Sequence, residues 1–160
     1  MTALQIGQTV PDFQARATGD KTVHLSDYSG HFVLIYFYPR DNTAGCTEQA
    51  QFFRDTSQQF TALNTVILGV SRDSVKSHDG FKAKHALPFD LLSDQDEALC
   101  QLFDVIKMKM MYGKQRRGIE RSSFLISPDG VLIQEWRKVA VKTHGKELLQ
   151  ALASLPKVKK

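Results

Sequence analysis

The seven consecutive apolar residues Phe32 to Tyr38 (FVLIYFY) constrain this chain more than any other stretch. A β-branched and aromatic run without polar alternation predicts a strand buried on both faces, at the middle of a sheet. Pro39 ends it, since proline cannot donate to a strand ladder. The turn-rich segment Asp41-Asn42-Thr43-Ala44-Gly45 follows, and from Cys46 to Leu63 the apolar residues Ala50, Phe53, Phe60 and Leu63 recur at helical spacing. The pattern therefore offers Cys46 at the N-terminus of an amphipathic helix that lies on the sheet.

The rest of the chain extends this unit. Thr65 to Ser71 (TVILGVS) reads as a second buried strand, and Ser74 to His85 as a helix weakened by Gly80. Strand, helix, strand, helix implies parallel βαβ pairing. Upstream, Val10-Pro11-Asp12-Phe13 excludes a helix, and Phe13 to Arg16 and Thr22 to Leu25 flank Thr18-Gly19-Asp20 like an N-terminal hairpin. Downstream, Phe89 to Leu92 is a short strand. Ser93 to Glu97 supply capping options for a helix holding Leu99, Cys100, Leu102 and Phe103. Lys107 to Gly118 has no clean period and reads as a loop. Ser123 to Ser127 and Val131 to Arg137 form a hairpin about Pro128-Asp129-Gly130, and a last helix carries Leu148, Leu149, Leu152 and Leu155. The order predicts an α/β protein of thioredoxin-like architecture, with a central mixed sheet flanked by helices. Residues 1–160 are expected to form one domain with a frayed tail at 156–160.

Composition narrows the function classes. With 160 residues, 42% hydrophobic and 24% charged, the chain can bury one sizeable core, and no apolar run approaches the roughly 18 residues of a membrane span. The start, MTALQIGQTVPDF, has neither a basic region followed by an apolar core nor a transit-peptide bias, so a cytoplasmic protein is expected. The net charge is +4, with cations at Lys107, Lys109, Lys114, Arg116, Arg117 and Arg121 and in the tail at Lys157, Lys159 and Lys160. These suit a solvated surface or the steering of an acidic partner, and no aromatic interleaving supports nucleic-acid binding. His24, His31, His78, His85 and His144 form no ligand motif and read as surface or capping residues. No metal, phosphate-binding loop or bound cofactor is expected. Cys46 and Cys100 are too far apart for a CxxC pair, so any disulfide would be catalytic or transient.

A cysteine in the first turn of a helix meets unpaired N–H donors and a partial positive charge, both of which favour thiolate over thiol. The segment YFYPRDNTAGCTEQA, with Pro39, Thr43 and Cys46 in the pattern Pro, three residues, Thr, two residues, Cys, resembles the signature of the peroxiredoxins. The resemblance is to the peroxiredoxin Q or bacterioferritin comigratory protein group. Val10-Pro11-Asp12-Phe13, Leu92-Ser93-Asp94 and Gly118 to Ile126 extend it over most of the chain. It implies a thiol peroxidase in which Cys46 attacks the terminal oxygen of hydrogen peroxide or an organic hydroperoxide and becomes a sulfenic acid. Arg121 carries over as the active-site arginine, the Thr43 hydroxyl as a partner for the peroxide or thiolate, and Pro39 as a shield against water. Energetics support a cation at such a site. Lowering a thiol pKa from about 8.5 to about 6 takes roughly 3.4 kcal/mol, whereas a helix terminus supplies about 0.3 to 1. A guanidinium, charged at every relevant pH, is the natural second source.

The chain departs from the group where an internal resolving cysteine is often found. Gln51 stands five residues after Cys46, and Phe81 to His85 contain no cysteine. Cys100, on a core-facing helix, reads as a buried structural residue, with resolution of the sulfenic acid as its alternative role. A one-cysteine mechanism is therefore expected, with thioredoxin, glutaredoxin or glutathione as reductant and a monomer or weak homodimer as the assembly. Arg116 stands where an aromatic residue is common, which can alter peroxide or reductant preference. A disulfide reductase is disfavoured by the missing CxxC, and a non-enzymatic redox sensor or holdase would differ by lacking sustained turnover.

Overall fold

The structure, a computed structural model, describes residues 4–155; the tail expected to fray at 156–160 lies outside the described residues. Nine strands and five helices occur among them. β1 (Gln14–Ala17) and β2 (Lys21–His24) form the N-terminal hairpin, followed by a 3-10 turn, Leu25–Tyr28. The unit β3 (Phe32–Phe37), α1 (Ala44–Asp55), α2 (Ser57–Ala62), β4 (Thr65–Ser71), α3 (Val75–His85) and β5 (Asp90–Ser93) comes next. Then follow α4 (Ala98–Leu102), β6 (Ile106–Met111), β7 (Lys114–Ile119), β8 (Ser122–Ile126), β9 (Leu132–Trp136) and α5 (Val141–Ala153).

Seven strands make a mixed sheet in the order β2-β1-β5-β4-β3-β8-β9. The βαβ reading holds: β3 with β4 and β4 with β5 are parallel, while β8 returns antiparallel beside β3. Alternation along β3 divides the core in two. Val33, Ile35 and Phe37 pack on one face with Cys100 and Phe103, and Leu34, Tyr36 and Tyr38 pack on the other with Cys46, Phe53, Phe81 and Leu148. Every β3 side chain is buried, as its composition requires.

Two expectations change. The helix from Cys46 to Leu63 is two helices broken at Thr56, whose φ of −109° and ψ of 10° leave the helical region. The Thr56 hydroxyl donates to the Phe52 carbonyl at 2.7 Å, a side-chain bond that competes with the ladder and bends the chain. The segment Lys107 to Gly118 is not a loop but the hairpin β6–β7, outside the main sheet. Its two-residue turn places Tyr112 at φ 53° and Gly113 at φ 75°, the sign that matches strand twist. No helix among the described residues is long and apolar enough to cross a membrane.

Helices α1 and α5 pack on the same sheet face through a close approach at Gly145. A Cβ there would lie 2.1 to 2.6 Å from the Phe52 ring. Gly145→Ala is therefore expected to destabilise the protein by about 1–3 kcal/mol through overpacking, read as a lower denaturant midpoint at unchanged m value.

Candidate active site

Cys46 is the third residue of α1 and is buried. Strand β3 leads into its helix through Tyr38 to Thr43, and β8 starts beside the end of β3, with Ser122 opposite Phe37. The residue before Ser122 therefore arrives next to the start of α1. That residue is Arg121, whose Nη2 donates to Cys46 Sγ at 3.4 Å across 75 residues of sequence. Its backbone carbonyl accepts from Val139 N at 3.0 Å. Gly45 packs beside the guanidinium, where a Cβ would stand in ordinary contact with Nη2 at 3.4 Å. At that separation a thiolate and a guanidinium attract by about 5 kcal/mol at an effective dielectric constant near 20. Partial exposure of Arg121 reduces this, yet it exceeds what a helix terminus offers.

Thr43 occupies the N-cap of α1, but its side chain does not cap the helix; the hydroxyl donates to the Arg40 carbonyl at 2.9 Å. Pro39 is half-buried at the end of β3. Cys100 is fully buried on the opposite sheet face, where burial, reinforced by Asp94, pushes its thiol well above the usual range. The Asp94 carboxylate accepts from the backbone N–H groups of Leu99 and Cys100 at 3.0 and 2.7 Å, serving as the cap of α4. Both cysteines are free thiols.

Several residues of the site carried no signal by themselves. Gln49 is buried, and its Oε1 accepts from Arg121 Nη1 at 2.6 Å, so the guanidinium is held at two nitrogens. Its spacing of three from Cys46 puts it on the same helix face, which is the one clue the sequence held. The Gln49 Nε2, the Tyr36 hydroxyl and His144 Nδ1 have no hydrogen-bond partner among the described residues, although all are buried. Burial, with the neighbouring Cys46 second, pushes the Tyr36 phenol up.

His78 and His144 correct the expectation of surface histidines, because both are buried. His144 Nε2 lies 2.8 Å from Ser123 Oγ, and burial, helped by the Arg121 guanidinium, pulls its imidazole down to about 4. His78 supports the loop before Cys46. Its Nε2 faces the Leu92 carbonyl at 2.9 Å, an acceptor only, so this nitrogen carries a hydrogen. Its Nδ1 lies 2.7 Å from Asp41 Oδ2. Tyr38 and Ser77 hydroxyls donate to the same carboxylate at 2.6 and 2.8 Å, and Asp73 accepts from the Asp41 N–H at 2.9 Å. Burial alone would raise the Asp41 carboxyl, but these hydrogen bonds outweigh it and hold it below the usual range. Asp41, Asp73 and His78 each bring a donor atom within 4.8 Å of the others, a grouping spread over 37 residues, and those atoms are engaged by hydrogen bonds inside the protein.

The AhpC/TSA family matches residues 6–135. The chain belongs to that family, within the peroxiredoxin Q and bacterioferritin comigratory protein group that its motif resembles. It is 50% identical to Peroxiredoxin Bcp of Bacillus subtilis over 152 residues, 95% of this chain and 97% of that one. It is also 50% identical to Peroxiredoxin Bcp of Xanthomonas campestris over 149 residues, 93% of each. Among solved structures, the bacterioferritin comigratory protein of Xanthomonas campestris superposes with a TM-score of 0.85 at 50% identity, covering 89% of this chain and 91% of that one. A mutant of Xylella fastidiosa PrxQ gives 0.90 at 42% identity, covering 96% and 98%. The fold is thus the thioredoxin-like fold of these peroxiredoxins, and the chain is a thiol-dependent peroxidase, taking a peroxide as oxidant and a thiol as reductant.

The neutral state of His144 has a measurable consequence. The unfolded chain binds a proton at this residue below about pH 6.5, whereas the folded chain resists it down to about 4, so stability present above 6.5 is lost as pH falls across that window. Urea unfolding at fixed pH should show this decline in the wild type and a shallower one in His144→Gln. Equal slopes would contradict it.

Proposed function

We propose that Cys46 is the peroxidatic cysteine of a one-cysteine peroxidase for hydrogen peroxide and organic hydroperoxides. The observation that carries the reading is the Arg121 Nη2 to Cys46 Sγ contact at 3.4 Å. The Cys46 thiolate attacks the terminal oxygen of the hydroperoxide, the O–O bond breaks, and the departing alkoxide takes a proton and leaves as alcohol, or as water from hydrogen peroxide. Cys46 is left as a sulfenic acid. Arg121 stabilises both the thiolate and the negative charge that develops on the leaving oxygen. The Thr43 oxygen keeps acceptor lone pairs beyond its bond to Arg40, suited to the peroxide hydrogen, and Pro39 shields the thiol from water. A relative's structure was determined to explain alkyl peroxide reduction, which fits organic hydroperoxides as substrates here.

Reduction comes from outside the chain. Gln51 replaces one resolving position, α3 carries no cysteine, and the sheet separates Cys46 from Cys100. Thioredoxin, glutaredoxin or glutathione would return the sulfenic acid to thiol, in the cytoplasm, where such donors are kept reduced. Mass spectrometry after one equivalent of peroxide tests this. A dimedone adduct on Cys46, with Cys100 unmodified, is expected, and a Cys46–Cys100 disulfide in high yield would overturn it.

A further inference from the structure

Ile106 and Ile119 anchor the β6–β7 hairpin in the core, but the side chains described between them are largely exposed and are not explained by it. From Ile106 to Ile119 it carries five cations, Lys107, Lys109, Lys114, Arg116 and Arg117, and no acid. Three of the cations are used internally: Arg117 pairs with Glu97, Lys107 with Asp104 at 3.2 Å, and Lys109 donates to the Ile119 carbonyl. Lys114 and Arg116 are exposed and form no ion pair among the described residues. On the other face of the ribbon, opposite Arg117 and Gln115, Met108 and Met110 are 60% and 68% exposed, and Tyr112 at the turn is 97% exposed. Unpaired cations on one face and large exposed apolar side chains on the other leave both sides of the arm open to a partner.

The hairpin is fixed at its root and stands at the rim of the candidate active site. Glu97 takes both Arg117 and Arg72, and Arg117 chiefly pulls its carboxyl down to about 2, so the clamp persists at physiological pH. Strand β7 ends at Ile119, two residues before Arg121, and the hairpin reaches about 20 Å from that root to its tip. We propose that this arm docks the thiol reductant, and that the reductant is a dithiol protein with an acidic surface around its reactive cysteine. The inference rests on the one-cysteine reading, in which oxidised Cys46 must itself meet a donor in every turnover.

In the docked pair the partner's thiolate attacks Cys46 Sγ, the sulfenic hydroxyl leaves as water with one proton, and a mixed disulfide forms. The partner's second thiol then displaces the Cys46 thiolate, and the partner departs as a disulfide, having supplied both electrons. Charge selects the occupant. Lys114 and Arg116 attract an acidic surface at long range, and a partner cleft that receives the arm meets the unbranched, adaptable Met108 and Met110 on its other side. A second copy would bring a like-charged hairpin, and two unpaired cations are a small footprint for a nucleic acid or an anionic bilayer.

The test is a Lys114→Glu/Arg116→Glu variant, assayed with excess peroxide and either a thioredoxin of net negative charge or dithiothreitol as reductant. The kcat/KM for thioredoxin should fall about tenfold at low ionic strength, and the difference should shrink in ~0.5 M salt. Turnover with dithiothreitol should stay at the wild-type level. The proposal is overturned by unchanged thioredoxin kinetics, by an equal loss with dithiothreitol, or by a wild type that turns over with dithiothreitol but not with an acidic thioredoxin. Loss of self-association or of anionic-vesicle binding in the variant, with thioredoxin kinetics intact, would reassign the arm. Absence of turnover with dithiothreitol in the wild type would instead sink the peroxidase reading beneath it.

Discussion

The register of β8 against β3 is what puts a cation beside a thiol. Ser122 pairs with Phe37, so Arg121 meets the chain as it leaves β3 for α1, and its guanidinium reaches Cys46 at 3.4 Å. A slip of two residues would move Arg121 by about 7 Å, and a slip of one would turn every buried side chain to the wrong face. The continuous burial of β3 forbids both, since each face is filled by a different set of side chains. Gln49 then locks the guanidinium from the helix side, and the Asp41–His78 pair fixes the loop from below. Geometry of this kind is set by the core and costs no rearrangement when charge develops.

The same sheet keeps the two thiols apart. Cys46 lies among Tyr36, Tyr38 and Phe53, and Cys100 lies on the other face among Phe37, Phe103 and Phe124. A disulfide needs Cα atoms within about 7 Å, which a strand layer between two helices does not permit without unfolding. Burial that raises the Cys100 thiol also removes its nucleophilic form. Placement and ionisation thus both support the proposal that Cys100 packs the core and that an external donor reduces the sulfenic acid.

How much of this was legible in the sequence depends on whether a residue's role is local. Phe32 to Tyr38, Thr65 to Ser71 and the helical spacing after Cys46 declared strands and a helix because burial imposes a period on composition. Pro39, Thr43, Cys46 and Arg121 entered as site residues through the resemblance, and their roles remain part of the proposal. The β6–β7 hairpin was not, since cross-strand bonds and the Glu97 clamp hold it instead of an apolar face, leaving no period to detect. The break at Thr56 escaped because one hydroxyl bond to Phe52 leaves the spacing of Phe53, Phe60 and Leu63 almost unchanged. His78 and His144 were misread as surface residues because their partners, Asp41 and Ser123, lie 37 and 21 residues away. Gln49 was half visible, on the right helix face but with its partner 72 residues distant.

The central claim is that one thiol, Cys46, is oxidised and restored in every cycle while Cys100 takes no part. Peroxide consumption in excess dithiothreitol tests it most directly in wild type, Cys46→Ser and Cys100→Ser. Sustained consumption by wild type and Cys100→Ser, with none above background by Cys46→Ser, is the expected result. Turnover retained in Cys46→Ser, or abolished in a folded Cys100→Ser, would contradict it.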